Sequence, residues 1–213
     1  PSPSPSSPSP PPPPPPTLLP PVPTWRSECE AIRRRHAGKK IIGSVTRLER
    51  LSGLAAKLLA FEQLLTAYPV WRDKVILVQR CIVRPTQRRE AMRCADELAQ
   101  LVRRIEARFG PLIDYQVYDA NCPGVLFAGA IRGQGTLSLA QRLGLWAACD
   151  VFCDTSLRAG LDLMPIEYLL VRMHLLEERQ KGSSGPRSPT SGGGGGGSGS
   201  GSGQYCSPVR NSY

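Results

Sequence analysis

The run Val75-Ile76-Leu77-Val78 is apolar at every position and rich in β-branched side chains. A strand of that kind has no solvent face, so it folds only where both of its faces are covered. Ile41-Ile42-Gly43-Ser44-Val45 has the same character, and shorter runs recur at Tyr115-Gln116-Val117-Tyr118 and Val151-Phe152-Cys153. Between these runs the apolar spacing changes to that of helices. Leu54, Leu58, Phe61, Leu64 and Leu65 share one face of a stretch that stops at Tyr68-Pro69. Met92, Ala95, Leu98, Leu101, Val102 and Ile105 do the same between Thr86 and Phe109, and Gly110-Pro111 closes that stretch. Leu137 to Ala148 and Met164 to Gln180 also read as helical. Asn121 to Thr136, with Pro123 and several glycines, reads as irregular, and Gly129–Gly135 as a mobile loop. Strands alternating with helices predict an α/β fold, a mostly parallel sheet with helices on both faces.

The ends of the chain lack this patterning. Of 213 residues, 1–24 are almost entirely Pro and Ser, a composition that favours polyproline II or disorder. Residues 181–213 are dominated by Gly and Ser and read as a disordered tail. One domain over residues 25–180 is therefore expected. The chain begins with Pro1 rather than Met and reads as partial. It shows no secretory signal, and Leu163–Leu170 is too short to span a bilayer.

Seven cysteines (Cys29, Cys81, Cys94, Cys122, Cys149, Cys153 and Cys206) are irregularly spaced and form no zinc-ligand pattern. Cys81, Cys149 and Cys153 sit among apolar residues and read as reduced core thiols of a cytoplasmic protein. The net charge of +10 suits nucleic acid, anionic lipid or phosphate-bearing ligands. It is spread along helical stretches, with Arg33-Arg34-Arg35 the tightest run, and no aromatic residues interleave it. A solvated basic surface is expected, with neither nucleic acid nor a membrane as partner.

Parallel sheets bind ligands outside the carboxyl ends of their strands. Two loops therefore carry the candidate chemistry. In Thr46–Gly53, Arg47 directly follows a strand and could hold a diphosphate bidentately, or pair with Glu49. In Thr155–Leu163, the helix starting near Met164 or Pro165 directs its free N–H groups at the loop, an arrangement that attracts phosphate. Glu167 in its first turn would accept from a ribose diol or favour the helix dipole. His36 and His174 are far apart, and neither a nucleophile elbow nor a phosphate loop ending Gly-Lys-Ser/Thr is present.

These loops resemble a known family. Val45-Thr46-Arg47-Leu48-Glu49-Arg50-Leu51-Ser52-Gly53, continued by Lys57-Leu58-Leu59-Ala60-Phe61-Glu62, is similar to the opening of the C-terminal domain of trehalose-6-phosphate synthases. Tyr68-Pro69-x-Trp71, Lys74-Val75-x-Leu77-Val78-Gln79 and Ile105-Glu106-x-x-Phe109-Gly110 follow in the same order. Thr155-Ser156-Leu157-Arg158-x-Gly160-Leu161-x-Leu163-Met164-Pro165-x-Glu167-Tyr168 resembles the family's Thr-Ser-Leu-Arg-Asp-Gly-Met-Asn-Leu-Val-Pro-x-Glu-Tyr. The resemblance implies a Rossmann-like domain, one half of a GT-B glycosyltransferase. It also implies glucosyl transfer from UDP-glucose to glucose 6-phosphate, without metal or cofactor.

Carried over position by position, the resemblance gives Arg47 to the diphosphate, Glu167 to the ribose, and the backbone of Gly160, Leu161, Asp162 and Leu163 to the donor. Ser52 stands where the family has lysine, Ala159 where it has the sugar-binding aspartate, and Asp162 where it has asparagine. The implied partners are UDP or UDP-glucose and an N-terminal half or related synthase subunit supplied from elsewhere. A fragment with impaired or absent activity of its own is expected. The alternative is a non-catalytic regulatory or interaction module, whose proline-rich arm would serve SH3-like or WW-like partners.

Overall fold

The computed structural model describes residues 23–121, 126–127, 131–158 and 160–183. Nearly all of the proline-rich segment, Cys122, Gly129, Ala159, Cys206 and the tail beyond residue 183 lie outside them. In chain order the elements are α1 (Trp25–Arg35), β1 (Lys40–Arg47), α2 (Leu54–Ala67), β2 (Val75–Ile82), α3 (Arg88–Phe109), β3 (Ile113–Tyr118), β4 (Leu126–Phe127), β5 (Ile131–Gln134), α4 (Leu139–Ala148), β6 (Val151–Phe152) and α5 (Met164–Ser183). Helix α5 thus continues past Gln180, into the stretch expected to be tail.

The apolar spacing of the sequence did not announce α1, which buries only Ile32. Its start is set by a cap. Thr24 Oγ1 accepts the Ser27 N–H at 3.2 Å, and Ser27 Oγ accepts the Thr24 N–H at 3.0 Å. Glu28 lies in the first turn and Arg33, Arg34 and Arg35 in the last, each on the side the helix dipole favours. The arginine run is also paired: Arg33 with Asp150 at 3.3 Å, Arg34 with Glu30 at 3.6 Å and Arg35 with Asp114 at 3.5 Å. Helix α1 packs closely on α4 at Gly144, where an added Cβ would lie 2.5 Å from Glu28 Cβ.

The strands form one sheet in the order β4-β5-β3-β2-β1-β6. All pairings are parallel except β4 with β5. Helices α2 and α3 bury their apolar faces on one side. Ile32 of α1, Leu145, Trp146 and Ala148 of α4, and Met164, Tyr168 and Val171 of α5 cover the other. This is the α/β architecture with helices on both faces that the alternation predicts. At the far edge the structure corrects the expected mobile loop. Ile131–Gln134 is a strand, held to β3 through Val117 opposite Gly133 and Tyr118 opposite Gln134.

Strand β2 outruns its apolar segment, and this matters for the site. Alternation sends Val75, Leu77 and Cys81 to the α2/α3 core and Ile76 and Val78 to the other. Gln79 and Arg80 extend the strand, one toward each face, and both are buried. Each has partners, as buried polar groups require. Gln79 Oε1 accepts from Lys57 Nζ at 3.2 Å, and its Nε2 donates to Thr46 Oγ1 at 3.1 Å. Arg80 donates to both carboxylate oxygens of Asp114, at 3.1 and 3.0 Å, and His36 Nε2 meets the same group at 3.1 Å. Burial, the largest single influence, would raise the Asp114 carboxyl, but Arg80 and His36 together outweigh it and hold the group below its ordinary value.

Lys57 is 3% exposed, and its partners Ser44 Oγ and Gln79 Oε1 are neutral. Burial pushes its amine below the ordinary 10.5. The folded chain therefore holds this proton less tightly than the unfolded chain. The lysine's contribution to stability is lowest at low pH and grows as pH rises toward 10.5. Burial raises the Cys81 thiol to about 11 and the Cys149 thiol to about 12, which acts in the opposite sense above their ordinary 9.0. Urea midpoints of the wild type and of Lys57→Met separate the two effects, because the thiols are common to both proteins. Wild type should gain on the variant as pH rises from neutral toward the ordinary lysine range. A difference that does not change with pH would show that the buried amine titrates normally.

Candidate functional site

Strand order places the site. From β1 the chain moves outward through β2 and β3, whereas β6 lies on the other side of β1. Loops leaving the carboxyl ends of β1 and β6 therefore diverge, and a crevice opens at this reversal. The loops are the two that the sequence singles out.

They are tied together where they leave the sheet. The Leu157 N–H donates to the Leu51 carbonyl at 2.9 Å, and Thr155 Oγ1 donates to the Gly53 carbonyl at 3.1 Å. Gly53 has φ of 65°, and a Cβ there would lie 1.9 Å from the Thr155 carbonyl oxygen. Glycine is thus required twice over, by its backbone conformation and by the approach of the second loop. Between the loops and the end of β2 lies a cleft of about 370 Å³. Its charged lining is Arg47, Arg84 and Arg158, with Glu49 and Asp162 among them. Among the described residues, none of the three arginines has a carboxylate within ion-pair distance.

The candidate residues divide. Arg47, Ser52, Leu161 and Asp162 line the cleft, whereas Gly160, Leu163 and Glu167 are not part of its lining. Ala159 lies outside the described residues. Arg47 is exposed at the end of β1, and Glu49, its alternative partner, forms no ion pair with it. Ser52 is buried and its hydroxyl donates to the Glu49 carbonyl at 2.7 Å, so the position is occupied by a turn-stabilising side chain. Gly160 adopts the left-handed conformation at φ of 65° and reverses the chain before α5.

Two details of the α5 start differ from the sequence expectation. The Met164 N–H is not free for an anion: Asp162 Oδ1 accepts it at 3.0 Å, and Pro165 has no N–H to offer. Glu167 serves neither the dipole alone nor an open pocket. Its two oxygens accept from Arg142 Nε at 2.7 Å and Nη2 at 2.9 Å, and Trp146 Nε1 approaches Oε2 at 3.3 Å. This pairing fastens α5 to α4 beside the stacked rings of Phe152 and Tyr168. Sequence reasoning also missed Arg84. The signal was there, since extending the strand from Val78 to Ile82 places Arg84 at the sheet's carboxyl edge, level with the two loops.

The sequence profile of glycosyltransferase family 20 matches residues 21–183. The chain belongs to glycosyltransferase family 20. It is 30% identical over 148 residues to a UDP-forming alpha,alpha-trehalose-phosphate synthase of Arabidopsis thaliana, covering 70% of this chain and 14% of that relative. Its fold matches the N-terminal domain of Candida albicans trehalose-6-phosphate phosphatase, with TM-score 0.57, 21% identity, and coverage of 71% of this chain and 29% of that one. It also matches an E. coli protein solved with UDP-2-fluoro glucose, with TM-score 0.55, 19% identity, and coverage of 69% and 32%. The family 20 domain described here thus spans only a small part of its full-length relatives. Among the described residues, no three His, Cys, Asp or Glu side chains converge as metal ligands, and no helix is long and apolar enough to cross a membrane.

The loop junction makes a specific demand on Gly53. Gly53→Ala should lower stability by about 2–3 kcal/mol or more, because a left-handed conformation and a backbone collision are combined. A urea midpoint unchanged by the substitution would mean that the two loops are not in contact.

Proposed function

We propose that this domain binds the donor nucleotide, UDP or UDP-glucose, in the cleft at the strand-order reversal. Glucosyl transfer to glucose 6-phosphate would then take place only when an acceptor half is supplied by another segment or chain. The observation that carries this reading is the unpaired Arg47 at the carboxyl end of β1, facing a cleft built by the two family motifs. In this reading Arg47 donates bidentately to the diphosphate and offsets the charge that grows on it as the sugar leaves. Of the loop before α5, Leu161 and Asp162 border the same group, and Glu167 reaches the ribose only by releasing Arg142. No metal or cofactor is invoked.

A second reading, a non-catalytic regulatory or interaction module, is favoured by Ser52 and Asp162. The first brings no charge to the lysine position, and the second puts a carboxylate where an anion would sit. Binding and turnover separate the readings.

Calorimetry on the full chain should show saturable UDP binding that inorganic phosphate does not reproduce. Arg47→Ala should weaken it about tenfold to a hundredfold, the loss of a charge-assisted contact of roughly 1.5–3 kcal/mol. Equal affinity in that variant would move the nucleotide elsewhere. Asp162→Asn keeps an oxygen for the Met164 N–H while removing a negative charge, so UDP affinity should rise about threefold to tenfold. Ser52→Lys combined with Ala159→Asp should release no UDP from UDP-glucose and glucose 6-phosphate. Turnover by that double variant alone would overturn the need for an acceptor half.

A further inference from the structure

We propose that Arg84 supplies the diphosphate contact that Ser52 lacks, so that the second cation of the cleft has moved from the β1 loop to the end of β2. This rests on the reading of the cleft as a diphosphate site.

The backbone at Arg84 is held on both sides. The preceding Val83 is buried and donates its N–H to the Tyr118 carbonyl at 2.8 Å, tying the segment to β3. The following Pro85 opens a short 3-10 turn, closed when the Gln87 N–H donates to the Arg84 carbonyl at 3.0 Å. The side chain between these anchors is exposed, lines the cleft, and has no carboxylate partner among the described residues. A fixed backbone with a free guanidinium resembles what Arg47 presents from the neighbouring strand.

Register gives the spacing. Arg47 lies opposite Ile82 in the parallel pairing of β1 with β2. Arg84 is therefore one strand across and two residues further on, which puts the two Cα atoms about 8 Å apart. Two long side chains starting at that distance can converge on the two phosphates of one diphosphate. The fork of each guanidinium suits a pair of phosphate oxygens.

Charge gives the reason the residue matters. The cleft sets Arg47, Arg84 and Arg158 against Glu49 and Asp162. Without Arg84 its lining would be neutral and would hold no net attraction for a dianion. With Arg84 it is cationic, and the guanidinium faces the ligand across from the uncharged Ser52.

The test uses the full chain and calorimetry at constant ionic strength, with UDP and inorganic pyrophosphate as separate probes. The proteins are wild type, Arg47→Ala, Arg84→Ala, Arg84→Lys, and Arg103→Ala as a control that removes one positive charge from the exposed face of α3. Circular dichroism melting confirms that each is folded. Arg84→Ala is expected to weaken UDP binding at least tenfold, Arg84→Lys to restore part of it, and Arg103→Ala to stay within twofold of wild type. If Arg84→Ala behaves like Arg103→Ala while Arg47→Ala loses binding, the donor site stands and the role of Arg84 is overturned. If wild type binds pyrophosphate through Arg84 but not UDP, the role of Arg84 stands and the nucleotide reading falls. If folded wild type binds neither probe, both fall.

Discussion

The parallel pairing of β1 is the constraint on which the rest depends. This strand bonds to β2 along its whole length and to β6 near its middle. Because helices cover both faces, every buried polar group on β1 and β2 must find its partner inside the protein. Lys57, Ser44, Gln79 and Thr46 meet that requirement on one face, and Arg80, Asp114 and His36 on the other. These are the positions where the strands stop reading as apolar. The internal partners let both strands run on to the edge where Arg47 and Arg84 emerge.

The site follows from that edge. A reversal of strand order parts the loops after β1 and β6, and two hydrogen bonds, at Leu51 and at Gly53, then draw them together. A crevice that is open above and fixed below results, a setting suited to holding a charged ligand without rearrangement. Its electrostatics are mixed. Three arginines that have no carboxylate partner among the described residues line it with two carboxylates, and one of these carboxylates also caps α5. A cleft so close to neutrality makes affinity depend on single residues.

Membership in family 20 and the altered positions Ser52 and Asp162 are compatible once chemistry and architecture are separated. Architecture rests on the sheet, the Gly53 contact and the α4–α5 fastening by Arg142 and Glu167. Chemistry rests on a few side chains at the rim. Ser52 illustrates the division: its hydroxyl donates to the Glu49 carbonyl in the turn after β1 while contributing no charge to a ligand.

The alternation of β1, β2, β3 and β6 with α2 to α5 was legible in the sequence, because apolar runs such as Val75–Val78 bounded by turn signals suit buried strands and the spacing of Leu54, Leu58 and Phe61 suits a helix face, whereas β4 and β5 lie in a stretch that reads as irregular. Arg47 and the Thr155–Leu163 loop were legible for the same reason, since both directly follow such runs. Helix α1 was not, because it is short and polar, with Ile32 its one buried residue, and its place is set by its cap, its ion pairs and its close approach to α4 at Gly144. Nor was the partner of Glu167. That contact joins residues of different elements, Arg142 of α4 with Glu167 of α5 across 25 positions. Local spacing fixes which face a residue occupies within its own element. Which groups meet across elements is decided only when the sheet closes its register and the loops are drawn together.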